Sequence, residues 1–137
     1  MEATQRSDGD TTVRRGLVEH HLAHSDEVLD GGRLVLSIAG LELGIFRVQG
    51  SIKVYENRCL HQGGPVCQGK IVPRVEEVID RRQKSRGYRF SETKTHIVCP
   101  WHGFEYDLQT GEHPGKAAIR LRGFKAFERD GEIYAYL

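Results

Sequence analysis

Apolar and polar residues alternate over short runs in the first half of the chain. Leu34, Leu36 and Ile38 occupy every second position, which is typical of a strand with one buried face. Dipeptides that end in glycine, at 39–40 and 49–50, separate this run from apolar runs at 43–48 and 52–55. Because short strands joined by such turns pair with their neighbours, the pattern predicts an antiparallel three-stranded meander.

The alternation returns at the C-terminal end of the chain. Ile133, Ala135 and Leu137 share one predicted face, and the tyrosines between them share the other. Further strands are predicted at 17–23, 95–98, 103–108, 117–121 and 125–128. Sixteen glycines in 137 residues favour many tight turns, so the sequence predicts an all-β fold in a single domain.

Two segments depart from the strand pattern. Val75, Val78 and Ile79 fall at helical spacing, which predicts a short amphipathic helix over residues 74–82. Near the N-terminus, His20 and His24 would share a face of a strand or a helix, with His21 beside them. We interpret the three histidines as a solvated edge, with metal binding as the alternative.

Charge and composition exclude several classes of protein. Lysine and arginine number 20 against 19 acidic residues, so no dominant basic field is available for nucleic acid. The chain contains no apolar run long enough to span a membrane, and residues 1–10 lack the apolar core of a secretory signal. Three cysteines are an odd number, which argues against a disulfide framework and for a cytoplasmic protein.

Two short motifs bring together the residues that bind metals. Cys59 and His61 stand at C-x-H spacing, and Cys99 and His102 stand at C-x2-H spacing. Two thiolates and two imidazoles are enough to close one site. This donor set suits either a tetrahedral zinc ion or a 2Fe–2S cluster in which two histidines replace two cysteines on one iron.

Glycines follow both motifs directly. Gly63 and Gly64 come after the first motif, and Gly103 comes after the second. Glycine allows the backbone to turn with positive φ and to approach a bound group closely, so that amide N–H groups can point at it. The two loops are therefore suited to a compact cluster held by short segments.

The segments CLHQGGP and CPWHGFEYD resemble the two cluster-binding loops of the Rieske family. The resemblance implies that Cys59 and Cys99 bind an inner iron, and that His61 and His102 bind an outer, solvent-facing iron. It also implies an antiparallel β-sandwich or barrel base with a small inserted cluster-binding lobe. The likeness covers residues 15–137, which leaves 1–14 as a polar tail.

The spacing between the loops departs from the family pattern. Cys99 lies 40 positions after Cys59, further than compact Rieske loops require, so we predict an insertion at about 73–94. This segment is locally basic. We interpret its charges as a solvated face, with a docking surface for an acidic redox partner as the alternative.

The same resemblance gives expectations for the reduction potential. Gly64 and Trp101 stand where high-potential members of the family carry a bracing disulfide, and Phe104 stands where they carry a serine that donates to sulfur. Tyr106 matches a tyrosine that donates to a ligand cysteine. We therefore expect a potential low in the Rieske range of roughly −150 to +300 mV. Cys67 is predicted to be a small apolar filler.

Among Rieske proteins of low potential, the chain resembles the ferredoxins of bacterial Rieske oxygenase systems. The resemblance therefore implies a ferredoxin of this kind. Such a protein passes single electrons from a flavin reductase to a terminal oxygenase, or to another redox protein, which would dock over the histidine tip. Oxygenases also need a mononuclear iron site in a separate catalytic domain, for which 137 residues leave no room, so we do not expect catalysis by this chain alone. The alternatives are a small Rieske subunit of a reductase such as assimilatory nitrite reductase, and a structural zinc module.

Overall fold

The computed structural model describes residues 13–14, 17–60, 63–101 and 103–137, and these residues are almost entirely in strands and turns. The strands are β1 (Val13–Arg14), β2 (Leu17–His24), β3 (Arg33–Ile38), β4 (Leu41–Val48), β5 (Ser51–Glu56), β6 (Lys70–Ile79), β7 (Ser85–Val98), β8 (Glu105–Asp107), β9 (Glu112–His113), β10 (Lys116–Arg120), β11 (Gly123–Phe124), β12 (Ala126–Arg129) and β13 (Glu132–Tyr136). Single turns of 3-10 helix span Ser25–Glu27 and Val66–Gln68. The all-β prediction is confirmed, and the described part of the chain contains no helix that could cross a membrane.

The central sheet contains the predicted meander. β3, β4 and β5 pair in succession as antiparallel neighbours, and β11 adds to the free edge of β5. Both connections are two-residue turns in which both residues have positive φ, at Ala39-Gly40 and Gln49-Gly50. This left-handed geometry matches the twist of paired strands, which is why glycine ends each turn.

The central sheet is covered on both faces. Leu43 and Ile45 of β4 point into one group of buried side chains, while Phe46 and Val48 point into another. We call the first group the base core; it comprises Leu22, Ala23, Val28, Leu43, Ile45, Val54, Ile133 and Ala135. We call the second the lobe core; it comprises Phe46, Val48, Tyr55, Cys59, Val66, Cys67, Ile97, Cys99, Tyr106, Leu108 and Leu121.

The base core is closed by a second sheet, with the strand order β1-β2-β13-β12. Ile133 and Ala135 of β13 are fully buried, which confirms the predicted alternation at the C-terminal end. Arg47 of the central sheet donates to both carboxylate oxygens of Glu128 on β12, at 3.0 and 2.8 Å. This ion pair ties the two sheets together at the edge of the sandwich.

The predicted helix at 74–82 is wrong. Residues 70–79 form β6, which pairs with β7 in a long hairpin, and β8 extends this sheet beyond β7. The pairing register shifts between Pro73 and Val75 and again between Glu77 and Ile79. Both shifts place their extra residues in β7, since residues 91–94 stand opposite one residue of β6 at the first shift and residues 86–87 stand opposite one at the second. β6 itself stays extended, and Ile79 near its outer end is 47% exposed, so the helical spacing of its apolar residues does not mark a buried helical face.

The turn of this hairpin is built around Asp80. Its carboxylate accepts hydrogen bonds from the backbone N–H groups of Arg82 and Lys84 and from the side chain of Arg86. These donors hold the pKa of Asp80 below its ordinary value, with the Lys84 N–H as the largest cause. Four basic residues of the predicted insertion, at positions 81, 82, 84 and 86, therefore lie at the outer end of the hairpin, while its inner end, at Lys70 and Val98, adjoins the second cysteine loop.

Candidate metal centre

Two buried thiols lie next to each other where the cysteine loops meet. Cys59 is 2% exposed and Cys99 is 1% exposed. Burial raises the pKa of the Cys99 thiol, the N–H of Trp101 opposes this effect, and a hydrogen bond with Cys59 adds to it. A buried pair of this kind is stable either as neutral thiols or as thiolates bound to a metal.

The first loop runs from Cys59 to Gly64 and is closed by two backbone hydrogen bonds. The N–H of Cys59 donates to the carbonyl of Gly64 at 2.8 Å, and the N–H of Gly63 donates to the carbonyl of Cys59 at 2.7 Å. Gly63 has a φ of 75°, which is in the left-handed region that glycine adopts without strain. The loop therefore folds back on its own cysteine.

The second loop repeats the same pattern. The N–H of Cys99 donates to the carbonyl of Phe104 at 2.7 Å, and the N–H of Gly103 donates to the carbonyl of Cys99 at 3.2 Å. Gly103 has a φ of 69°. The two loops, 59–64 and 99–104, thus have the same length and present their cysteines through equivalent backbone turns, as expected of two halves of one site.

The predicted histidine ligands, His61 and His102, lie outside the described residues. Leu60 is 53% exposed and Trp101 is 49% exposed, although the cysteines of the same loops are buried. Each loop therefore passes from the interior at its cysteine to the surface at Leu60 or Trp101.

The two loops touch at Gly64. A Cβ atom at this position would lie 2.8 Å from the indole ring of Trp101 and 3.0 Å from the Sγ atom of Cys99. Both distances are shorter than normal contacts, so no side chain fits there without displacing the second loop. Glycine is required at this point for close approach, whereas at Gly63 and Gly103 it is required for the backbone turn.

Tyr106 contacts the first loop and is fully buried. Its hydroxyl oxygen lies 3.3 Å from Cys59 Sγ and accepts a hydrogen bond from the N–H of Leu60 at 3.1 Å. Burial raises the pKa of Tyr106, so the phenol keeps its proton and can donate it to the sulfur. This is the contact that the resemblance implied for this residue.

Two supporting side chains have no signal in the sequence motifs. Asn57 is buried, its Oδ1 accepts from the N–H of Cys67 at 2.8 Å, and its amide donates to Gln68. His113 stacks on Phe104 with ring centroids 4.3 Å apart and donates from Nδ1 to the carbonyl of Glu105. Their partners are eight or more positions away in the chain, so spacing alone could not reveal them.

Cys67 lies in the lobe core away from the loops' surface. Its pKa is raised to about 12 by burial, and its Sγ atom lies 3.7 Å from the carbonyl of Tyr55. A Cβ atom at Gly44 would lie 2.5 Å from the same sulfur, so β4 packs tightly against it. These surroundings agree with a small apolar filler.

The histidines near the N-terminus are arranged differently from the prediction. His21, rather than His20, lies beside His24, with ring centroids 6.0 Å apart. The reason is an irregularity in the pairing of β2 with β13, which shifts the register between His21 and Ala23. The expectation that His20 and His24 share a face is therefore wrong.

Comparisons with known proteins agree with this geometry. The family model described as "Rieske [2Fe-2S] domain" matches residues 19–125. A human protein named Rieske domain-containing protein is 30% identical over 91 residues, which are 66% of this chain and 47% of that protein. The chain thus spans about half the length of this curated relative.

Solved structures share the fold at low sequence identity. The ferredoxin of carbazole 1,9a-dioxygenase from Nocardioides aromaticivorans is 19% identical, with a TM-score of 0.59, and the match covers 85% of this chain and 95% of that one. A putative NADH-dependent nitrite reductase small subunit from Mycobacterium tuberculosis is 15% identical, with a TM-score of 0.64 and coverages of 88% and 96%. The reduced oxygenase–ferredoxin complex of carbazole 1,9a-dioxygenase has a TM-score of 0.61 at 23% identity, with coverages of 87% and 28%. The predicted β-sandwich with an inserted lobe is confirmed.

Proposed function

Because this chain belongs to the Rieske [2Fe-2S] domain family, which implies a Rieske-type 2Fe–2S cluster, we propose that it is an electron carrier of the ferredoxin kind. It takes single electrons from a flavin reductase and delivers them to a terminal oxygenase. The observation that carries the proposal is the meeting of two buried cysteines, Cys59 and Cys99, on loops with equivalent backbone turns. The fold likeness to a ferredoxin, with a TM-score of 0.59, supports the proposal.

The residues of the site fit this cofactor. Cys59 and Cys99 would hold the inner iron from the buried side, and His61 and His102 would hold the outer iron from the surface side. When bound, the cluster supplies reversible one-electron transfer. The protein contributes two thiolates that are shielded from water, a phenol proton from Tyr106 directed at Cys59, and a loop contact at Gly64 that sets how closely the two halves of the site approach.

The partner docks over the surface where the two loops emerge. Leu60 and Trp101 precede the two predicted histidine ligands in the sequence and expose apolar side chains, and exposed apolar groups of this kind mark contact sites. The short path from this surface to the buried sulfurs suits electron transfer. Docking here would also exclude water from the exposed surface of Leu60 and Trp101.

The basic end of the β6–β7 hairpin has a separate role in docking. Arg81, Arg82 and Arg86 lie at or beside its turn, and nine residues of strand, roughly 30 Å, separate Ile79 from Lys70 at the inner end. The arginines therefore attract an acidic partner at long range rather than contact it beside the cluster. Such attraction weakens with salt because surface charges are screened.

Stopped-flow reduction of the cluster-loaded protein by an NADH-dependent flavin reductase tests this function. Leu60→Ala should slow reduction at every salt concentration, whereas Leu29→Ala, at an equally apolar and more exposed site in the base, should not. Arg82→Glu should reduce the salt dependence and leave the rate at high salt unchanged. Equal rates for Leu60→Ala and Leu29→Ala would contradict docking over the loops.

The midpoint potential distinguishes a ferredoxin from other members of the family. We expect a value low in the Rieske range that does not change with pH near 7. A potential above about +100 mV, or one already falling near pH 7, would exclude the low-potential assignment.

A second candidate function is a small subunit of a reductase of the nitrite reductase type. The fold match to such a subunit, with a TM-score of 0.64 over 96% of that chain, favours it. This function predicts a permanent complex, so the protein would purify from its source cells with a large subunit at equal amounts. A ferredoxin would purify alone.

A further inference from the structure

A β-bulge brings two histidines to the same side of strand β2. Along a regular strand, residues three apart point to opposite faces. Ala23 pairs with Ile133 and His21 pairs with Tyr134, so Leu22 is an extra residue with no partner of its own on β13. Leu22 and Ala23 are consecutive and both buried, which leaves His21 and His24 together on the exposed side.

Glu132, the first residue of β13, completes a three-residue group with these histidines. His21 Nε2 lies 2.6 Å from one carboxylate oxygen of Glu132, and His24 Nδ1 lies 2.7 Å from the other. One ligand atom from each residue lies within 4.8 Å of the other two. The three side chains therefore converge on a single point at the surface of the base sheet.

The backbone around this point is held by its own hydrogen bonds. The N–H of His24 donates to the carboxylate of Glu27 at 2.9 Å, and the N–H of Ser25 donates to the carbonyl of Gly131 at 2.8 Å. The first bond closes the 3-10 turn that follows β2, and the second joins the end of β2 to the turn before β13. The positions from which His24 and Glu132 project are therefore set before any ligand arrives.

The chemistry of the group is that of a first-row transition metal site. Two imidazoles and one carboxylate form the three-ligand set that binds Zn²⁺ and leaves a fourth position for water. Donors on a tetrahedral zinc are about 3.3 Å apart, only slightly further than the nitrogens and carboxylate oxygens are now. Asp26 borders the same surface cavity as His24 and Glu132 and adds negative charge that favours a cation.

We propose that His21, His24 and Glu132 form a surface binding site for a divalent transition metal of the Zn²⁺ class, with water as the remaining ligand. The metal links the end of β2 to the start of β13. None of its three ligands belongs to the lobe core, so the site works independently of the 2Fe–2S cluster.

Titration of Zn²⁺ into the cluster-loaded, untagged protein tests this site. Isothermal titration calorimetry should show one saturable binding event, and the thermal unfolding temperature should rise with it. His24→Ala and Glu132→Gln should each weaken Zn²⁺ binding by roughly tenfold or more. Removing a residue that only supports a metal ligand already lowers metal affinity by about this factor, so removing a ligand should cost at least as much. The visible absorption of the cluster should stay constant, which shows that its own ligands are not the zinc ligands.

His20→Ala is the matched control, because it removes a neighbouring histidine of the same strand that is not part of the group. Its zinc affinity should equal that of the unmodified protein. The proposal is overturned if Zn²⁺ does not bind, if Glu132→Gln and His24→Ala bind it as tightly as the unmodified protein, or if His20→Ala weakens binding as much as they do. Glu132→Gln preserves the shape of an exposed side chain, so its result does not depend on the folding of the histidine variants.

Discussion

The two faces of the central sheet hold cores of different chemistry. The base core is entirely aliphatic, whereas the lobe core contains all three cysteines of the chain and the buried Tyr55 and Tyr106. Aliphatic burial stabilises the base without help from any ligand. The lobe places sulfur and phenol groups in its interior, where they cost free energy unless a partner satisfies them. The comparison indicates that the base supplies stability and that the lobe supplies the site.

One strand joins the two cores. Leu43 and Ile45 of β4 pack in the base core, and Phe46 and Val48 of the same strand pack in the lobe core. Substitutions in this one strand can therefore test the stability of either core. Because the two pairs of side chains point to opposite faces, a change on one side should affect the other mainly through the backbone.

Removing a thiol of the site should have the largest effect. Cys99→Ala should abolish bound iron, labile sulfide and visible absorption, because metal binding and folding of the loops are coupled. Iron analysis and the visible spectrum measure the loss. Cys67→Ala removes an equally buried sulfur of the same core and should keep the full spectrum. Loss of the cluster in Cys67→Ala but not in Cys99→Ala would reverse the ligand assignment.

A methyl group at the contact between the loops should have the next largest effect. Gly64→Ala forces a Cβ atom against Trp101 and Cys99, and overpacking of this kind costs about 1–3 kcal/mol of unfolding free energy. We expect a changed visible spectrum and partial loss of iron. Gly40→Ala strains a turn of the central sheet where nothing lies within 4 Å, so it should lower stability without changing the spectrum. Equal spectra for both variants would show that the loop contact is not tight.

Tyr106→Phe should lower the midpoint potential by tens of millivolts, because a hydrogen bond to a ligand sulfur stabilises the reduced cluster. Protein-film voltammetry measures the shift. Tyr55→Phe is the control in the same core, since its hydroxyl donates to the carbonyl of Leu108 at 2.7 Å and not to a cysteine. It should cost stability and leave the potential unchanged. Equal shifts in both variants would mean that general polarity, rather than the bond to Cys59, sets the potential.

The sequence predicts those parts of this molecule that depend on neighbours in the chain. Glycine turns and the alternation at 34–38 and 133–137 are local signals, and the meander and the C-terminal strand agree with them. The cysteine loops are likewise contained in short motifs. Bulges are not local, because they are defined by the partner strand. The bulge in β2 accounts for the wrong prediction that His20 and His24 share a face. The helix at 74–82 is predicted from only three apolar residues, and pairing with β7, a long-range contact, makes this segment a strand instead.

Contacts between distant segments also cannot be predicted from the spacing of residues in the sequence. Gly64 is required by the indole ring of Trp101, and the sequence alone explains only why a glycine suits a turn. Asn57 and His113 act through partners eight or more positions away in the chain. The candidate site could therefore be recognised from its cysteine motifs, while the side chains that support its loops needed the three-dimensional structure.

The smallest expected effect concerns the ion pair at the edge of the base. The hydrogen bond that Glu128 accepts from Arg47 lowers the pKa of Glu128 to about 2, from an ordinary value of 4.5. A carboxylate with a lowered pKa in the folded state stabilises the protein above its unfolded pKa, and this contribution disappears as the pH falls towards the folded value. Because Glu128 is partly exposed, water screens the pair and its contribution should be no more than about 1 kcal/mol.

A double-mutant cycle isolates this contribution from acid loss of the cluster. The coupling energy between Glu128→Gln and Arg47→Met should be constant above about pH 5 and should decline between about pH 4.5 and pH 2, where Glu128 takes up its proton. Denaturant unfolding at each pH measures it, and any loss of the cluster cancels because it affects all four proteins alike. The visible spectrum at neutral pH should be the same in all four, since the pair lies on the base side of the central sheet. A coupling energy that stays the same at pH 3 and pH 6 would show that the carboxylate is not stabilised by Arg47, and a changed spectrum would show that the two cores are not independent.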